Sequence, residues 1–359
     1  MTHSRRSRKK HIGLLLFVLT TLLPTTSLRA ENSKYAAAFL DIPVGVRSLG
    51  LGGQYSAIDN VDGTAFYWNP AGVAFAKDRI VTSLYSNQFG SLGSPLSNYM
   101  YIGYTQGIGN GVGVSVNWIR NSISDIPLTS AIDAGIDIGE QLRSGQLLNN
   151  GATFSNADNA VFVSIAKNLA TSVDFGWEYF DLPIELPVGI TFKYINQGFS
   201  GNKQVEYSGS GVGVDIGTML KFNLGKFVSN PTYGDVALGI TLRDLFNTPV
   251  SWDTELKTKS TIDRSFLFSF SYKQPLMFIS SSLLFSISQD TKYSGLTSWG
   301  FEYKFRELVA IRLGSYDKNL TLGAGLFLLQ AFYVDYAYQF NDLGGTHRVG
   351  LTLNLSRLL

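Results

Sequence analysis

The 359-residue chain has no cysteine and only three histidines, His3, His11 and His347. The missing thiols exclude disulfides, thiolate metal sites, a lipid-anchored cysteine and cysteine nucleophiles. One histidine beyond residue 11 leaves little room for zinc sites or catalytic dyads. Charge is also scarce, at 16% of residues against 45% hydrophobic, where a soluble domain carries about a quarter charged. Six of the bases (Arg5, Arg6, Arg8, Lys9, Lys10, Arg29) fall in residues 1–30, which hold no acid. Without them 23 bases face 27 acids, so no basic surface remains to argue for a nucleic-acid partner. Long hydrophobic runs are absent too. The longest, Ile12 to Leu23, is short of the roughly twenty residues a spanning helix needs. With the basic stretch before it and polar residues up to Ala30, it reads as a secretory signal cleaved near Ala30.

What is present instead is glycine, aromatic residues and alternation. The chain has 37 glycines, 24 phenylalanines and 18 tyrosines, and from Ile80 to Ile119 it carries no charge at all. Side chains alternate between the two faces of a strand, so a wall with lipid on one side shows a period of two. Val236, Leu238, Ile240 and Leu242 oppose Ala237, Gly239, Thr241 and Arg243. Phe266, Phe268, Phe270 and Tyr272 oppose Ser265, Ser269 and Ser271, and Val349, Leu351, Leu353 and Leu355 oppose Arg348, Gly350, Thr352 and Asn354. This period predicts strands over 79–88, 98–107, 111–121, 159–169, 185–197, 209–222, 234–246, 264–274, 276–289, 296–305, 308–316, 319–329, 331–340 and 346–356. Connections after even strands are mostly short, and those at 122–158 and 247–263 are long, the asymmetry of periplasmic turns and external loops. A soluble β-sandwich would also alternate, but its outer face would be polar. The sequence is therefore all-β, a transmembrane antiparallel β-barrel of about 14 strands (79–359) in the bacterial outer membrane, with an N-terminal plug (31–78) in the lumen.

The predicted inner face carries Lys193, Asp215, Arg243, Glu302, Arg312, Asp335 and Arg348. Neighbouring strands give the pairs Lys193 with Asp215, Glu302 with Arg312, and Asp335 with Arg348. They read as ion pairs tying the wall to the plug, with a polar conduit as the alternative. Lumen-side Gly211, Gly213, Gly323 and Gly325 leave room for something packed closely inside. Gly107, Gly109, Gly111 and Gly113 share one strand face and precede no helix, so they are not a phosphate loop. No catalytic residue, metal site or cofactor is expected, and the chain does not read as an enzyme.

The plug contains Arg47-Ser48-Leu49-Gly50-Leu51-Gly52-Gly53 and, later, Phe66-Tyr67-Trp68-Asn69-Pro70-Ala71. Here the chain resembles the FadL-like outer-membrane proteins, and more closely their PorV/PorQ and UPF0164 branch. Asn69-Pro70-Ala71 is similar to the tripeptide of the FadL hatch, and Arg47, Gly50, Gly52 and Gly53 to the branch's glycine motif. Asp335-Tyr336-Ala337 and Thr346-His347-Arg348 are similar to its carboxyl end. The resemblance implies passive uptake of hydrophobic small molecules such as long-chain fatty acids, bound between hatch and wall and released laterally. Asn69, Pro70 and Ala71 would set the hatch conformation, and Phe66, Tyr67 and Trp68 would line the apolar route, unless these aromatics only pack the plug. The PorV-type alternative is a carrier or docking protein for cargo of type IX secretion, with loops 122–158 and 247–263 as working parts. A purely structural barrel is a third reading. Outer-membrane lipids and the barrel assembly machinery are expected partners in every case, although the chain ends Ser356-Arg357-Leu358-Leu359 rather than in an aromatic residue.

Overall fold

A computed structural model describes residues 36–358 apart from 54, 59–61, 92–93, 130–134, 146–147, 175, 177–180, 293–294 and 343; the expected signal segment 1–30 lies outside the described residues. Sixteen strands follow a short N-terminal segment: β1 Arg79–Ser91, β2 Ser94–Gly109, β3 Val112–Thr129, β4 Leu148–Asp174, β5 Asp181–Ser200, β6 Ser208–Asn223, β7 Asp235–Arg243, β8 Thr248–Trp252, β9 Lys259–Ile262, β10 Ser265–Leu276, β11 Ser281–Asp290, β12 Leu296–Phe305, β13 Val309–Tyr316, β14 Asn319–Leu328, β15 Phe332–Gln339 and β16 Thr346–Asn354. β1 to β7 and β10 to β16 form one ring of fourteen antiparallel strands. β7 pairs directly with β10, and the ring closes through β1 on β16. The remaining β8–β9 hairpin continues beside β6, Gly209 to Gly211 opposite Trp252 to Val250.

The ring sorts the alternating side chains as their period demands. Val116, Ile165, Phe192, Phe268, Phe301, Ile311, Leu322, Val334 and Leu351 are exposed on the outside, while Ser115, Thr191, Ser269, Arg312, Thr321 and Arg348 are buried inside. A continuous apolar exterior on a closed sheet, with no strand edge left in lipid, is the requirement for a barrel that spans a membrane. On β4 the outward apolar band runs over Val161, Val163 and Ile165, with Lys167 next on the same face and Leu169 beyond it. At one edge of this band stand Arg120 and Asn159, hydrogen-bonded at 3.5 Å. Arg79 and Asn354 begin and end the ring at the same rim, the periplasmic one in barrels of this type.

Several strands outrun the sequence expectation. β3 and β4 reach into 122–158, where a loop is expected, and a bulge between Ile123 and Ile126 bends their ladder. The expected turn 170–184 is mostly the paired ends of β4 and β5, and 247–263 contains the β8–β9 hairpin. Outside the bilayer both faces of a strand meet water, so the greasy-polar period that reveals strands within it disappears.

The described residues before β1 fill the lumen. Val44, Leu49, Leu51, Tyr55, Phe66, Trp68 and Val73 are buried with wall residues Tyr99, Tyr101, Ile119, Phe162 and Ile195 in one cluster. This segment is the hatch.

Candidate functional site

Short turns build the hatch. A helical turn, Val46–Gly50, ends in Gly52 and Gly53, both at positive φ (83° and 81°). A Cβ on Gly52 would also stand 2.4 Å from the Trp299 carbonyl oxygen, so both conformation and space demand glycine. A second turn, Ala65–Trp68, leads into the 3-10 segment Pro70–Phe75, where Asn69 accepts the Ala71 amide with its side chain and Pro70 opens the helix. A capping Asn followed by Pro is what a helix start favours.

Toward β12–β16 the hatch is fastened by charge. Arg47 donates Nε and Nη2 to the two carboxylate oxygens of Glu302 on β12, at 3.0 and 2.9 Å. Glu302 also accepts Nε of Arg312 on β13 at 2.7 Å, and Arg312 reaches Asp335 on β15 at 2.6 Å. All four side chains are buried. A single acid thus holds one arginine from the hatch and one from the wall. Asp335 does not pair with Arg348 as neighbouring strands suggest. Arg348 instead turns its guanidinium to the hatch, donating to the carbonyls of Pro43 and of Gly45, the latter at 3.2 Å. It also lies over the Tyr99 ring, 5.5 Å from its centre. Strand adjacency made Arg348 and Asp335 neighbours, but the hatch supplies competing acceptors that the wall sequence does not reveal.

Toward β2–β5 the seam is aromatic. Phe66 stacks on Tyr101 of β2 (5.6 Å, 21°) and meets Phe162 of β4 at 5.0 Å. Tyr67 approaches Phe162 edge-on at 6.3 Å and Trp68 at 4.9 Å. Neutral hydrogen bonds continue the seam from β5 to β7: Thr191 donates to the Phe66 carbonyl at 3.1 Å and Thr241 of β7 to that of Trp68 at 2.9 Å. The Asn69 amide nitrogen joins the hatch to itself and to the wall, donating to Ser56 O at 2.7 Å and Thr218 O at 3.0 Å. Gly189 and Gly217 let Asn69 and Pro70 come this close. A Cβ on Gly217 would fall 2.0 Å from Asn69 Oδ1. Of the glycines expected to make room inside, Gly323 meets Gly50 of the hatch, Gly211 meets the β8 backbone, and Gly213 and Gly325 make room for wall side chains.

A second charged group lies toward the rim opposite the chain ends. Lys193 sits 2.8 Å from both Asp215 and Asp244. Arg243 pairs with Asp290 at 3.1 Å while covering the Tyr67 and Trp68 rings at 5.2 and 5.4 Å. Lys292 pairs with Asp41 of the hatch. Within the hatch, Tyr55 and Thr64 donate to Asp62, whose carboxyl burial pushes above its usual range.

The voids between hatch and wall hold only about 10 to 70 Å³, below the roughly 300 Å³ of a small-ligand pocket. Below the hatch, at the rim of the chain ends, Phe75, Ile80, Val112, Lys221 and Tyr333 help line a vestibule of about 950 Å³. A solute crossing the ring at these voids would have to displace hatch side chains. Tyr101, Phe162, Thr191, Thr241, Asp244 and Asp290 are site residues that sequence reasoning did not single out. Apart from Asp244, which follows the end of β7 on the parity of its outward face, their only signal was a place on the inner face of a strand, which dozens of residues share. Among the described residues, no group of three or more His, Cys, Asp or Glu is placed to hold a metal.

No protein-family profile matches this sequence, and neither does any curated protein. Among solved structures, the chain is similar to the toluene transporter TodX of P. putida, with 10% identity over 87% of this chain and 99% of that one and a TM-score of 0.48. It is also similar to the Ralstonia pickettii toluene transporter TbuX (11% identity, 87% and 97% covered, TM-score 0.46). The monoaromatic hydrocarbon channel CymD gives 11% identity, coverage of 87% and 96%, and a TM-score of 0.47. At these values the likeness says nothing of residues or ligands.

Proposed function

We propose that this barrel admits small hydrophobic molecules, long-chain fatty acids among them, by yielding of the hatch along its aromatic seam. The observation that carries the reading is the unequal seating of the hatch. Directional ion pairs hold it to β12–β16, while Phe66 and Tyr67 rest on Tyr101 and Phe162 through contacts that an apolar solute can replace ring for ring. Phe66, Tyr67 and Trp68 then border the route, Asn69-Pro70-Ala71 is the pivot, and the vestibule receives what passes. Purified protein is expected to bind radiolabelled oleate or toluene saturably, and Phe66→Ala is expected to change that affinity more than Lys221→Ala. Absence of saturable binding for both probes would sink the proposal.

Docking of secreted cargo is a second reading. It is favoured by the wall formed by β3 and β4 beyond the apolar band, which carries the helix Ile138–Arg143, and by the β8–β9 hairpin. Removal of residues 130–147 should then block surface delivery of a secreted protein and leave oleate uptake intact; unchanged delivery removes this reading.

A further inference from the structure

β4 and β5 do not stop where the wall stops. At the rim that carries both ends of the ring, β3 follows β4 only to Val112 opposite Lys167, and β6 follows β5 only to Phe222 opposite Ile184. β4 and β5 stay paired with each other down to Asp174 opposite Asp181. Leu169–Asp174 thus keeps a partner on its β5 side only, and from Ser172 opposite Pro183 to Asp174 opposite Asp181 the two strands stand beyond both neighbours as a two-stranded ribbon. Ala170 and Thr171 border the 950 Å³ vestibule.

The two edges of this ribbon differ. The Asn168 amide donates to Gly111 O on the β3 side. Hydrogen-bonding direction alternates along a strand, so Ala170, Ser172 and Asp174 turn their backbone groups to the same side, where β3 has already ended. Ser172 lies opposite Pro183, which therefore faces outward on the other edge and offers no donor there. Proline at such a position is a common way of blocking strand addition. The β4 edge carries no proline, lysine or bulge, and Thr171 and Val173 favour extended backbone. One edge is closed and the other is open.

Charge selects what can pair with the open edge. Between Lys167 and Lys193 there are four acids, Asp174, Glu178, Asp181 and Glu185, and no base. Glu185 faces Lys221 across the sheet, but Asp174 and Asp181 are exposed and directly opposite each other, a repulsive placement. A cationic strand relieves that repulsion. A second copy of this chain would set another acid pair against the first.

We propose that Ala170–Asp174 is a strand-addition site for an extended, lysine- or arginine-bearing segment of a partner on the periplasmic side of the membrane. The proposal is independent of whether the barrel carries hydrophobic solutes. The test uses the full-length protein in detergent micelles and a fluorescent acetylated hexapeptide of alternating lysine and valine, with fluorescence anisotropy as the readout. The peptide is expected to bind saturably. Methylating its alternate backbone nitrogens, which keeps every charge, should weaken binding about tenfold or more, because strand addition rests on main-chain hydrogen bonds. Ser172→Pro, which removes an outward donor and no ribbon hydrogen bond, should do the same while heat-modifiable gel mobility shows the barrel intact. The methylated peptide needs no variant, so a misfolded Ser172→Pro protein leaves the test standing. Three results overturn the proposal: no saturable binding, equal binding of the two peptides, or a dimer in light scattering that Ser172→Pro dissociates.

Discussion

Facing β12–β16 the hatch is held by Arg47, Glu302, Arg312 and Asp335 at hydrogen-bonding distances of 2.6 to 3.0 Å; facing β2–β5 it rests on ring contacts of 5.0 to 6.3 Å and the Thr191 hydroxyl. The two seams respond differently to a small displacement. A buried ion pair has one good geometry, and opening it exposes unpaired charge to a medium that solvates it poorly. Stacked and tilted rings have many geometries of similar energy. On the proposed route, the charged seam would be the hinge side and the aromatic seam the side that yields.

The sharpest way to break this comparison is Glu302→Gln, which leaves Arg47 and Arg312 buried together without their shared acid. It should cost about 3–5 kcal/mol and accelerate hydrogen exchange at Leu49 to Gly53 well before Tyr67 and Trp68. Equal acceleration at both places would show that the hatch moves as one body. Next, Phe162→Ala removes the ring that both Phe66 and Tyr67 touch. A loss of about 3 kcal/mol is expected in denaturant unfolding, together with faster, not slower, uptake of oleate into proteoliposomes. Gly217→Ala tests how closely the aromatic side is fitted. Its methyl group must displace Asn69, for about 1–3 kcal/mol, and the Asn69 contact with Thr218 O should lengthen in a crystal structure of the variant.

The smallest effect is one of pH. Burial raises the Asp62 carboxyl, so its neutral form is the one the folded hatch prefers. The stabilisation this gives is complete below the ordinary carboxylate range and is lost as pH rises through the raised value. The protection factors at Gly63 and Thr64, with the intrinsic pH dependence of exchange divided out, should therefore fall over that interval in the wild type and stay level in Asp62→Asn. A parallel fall in protection in both proteins would remove Asp62 as the cause.

The wall was legible because lipid enforces it. Val236 to Leu242 and Phe266 to Tyr272 could be assigned to faces residue by residue, since each outward position had to be apolar within the band. The same logic failed outside it. The Ala170–Asp174 stretch looked like a turn, because past Leu169 lipid no longer enforces an apolar alternation. In the hatch, Gly52 and Asn69 could be singled out for their backbone chemistry, but their partners Trp299 and Thr218 could not, as those contacts join segments far apart in the chain. Arg348 shows the limit most plainly: its strand and face were readable, its partner was not.

By itself the sequence determined a ring of fourteen strands, the faces they turn to lipid and lumen, and a glycine- and aromatic-rich segment ahead of them, because period and composition answer to solvent locally. Only the tertiary structure decided that Glu302 is shared by hatch and wall, that Arg348 binds hatch carbonyls, and that the β4 edge is left open beside an edge closed by Pro183. Each of these depends on which groups compete for the same donor or strand once the ring has closed, and pairings of that kind leave no periodic trace in the chain.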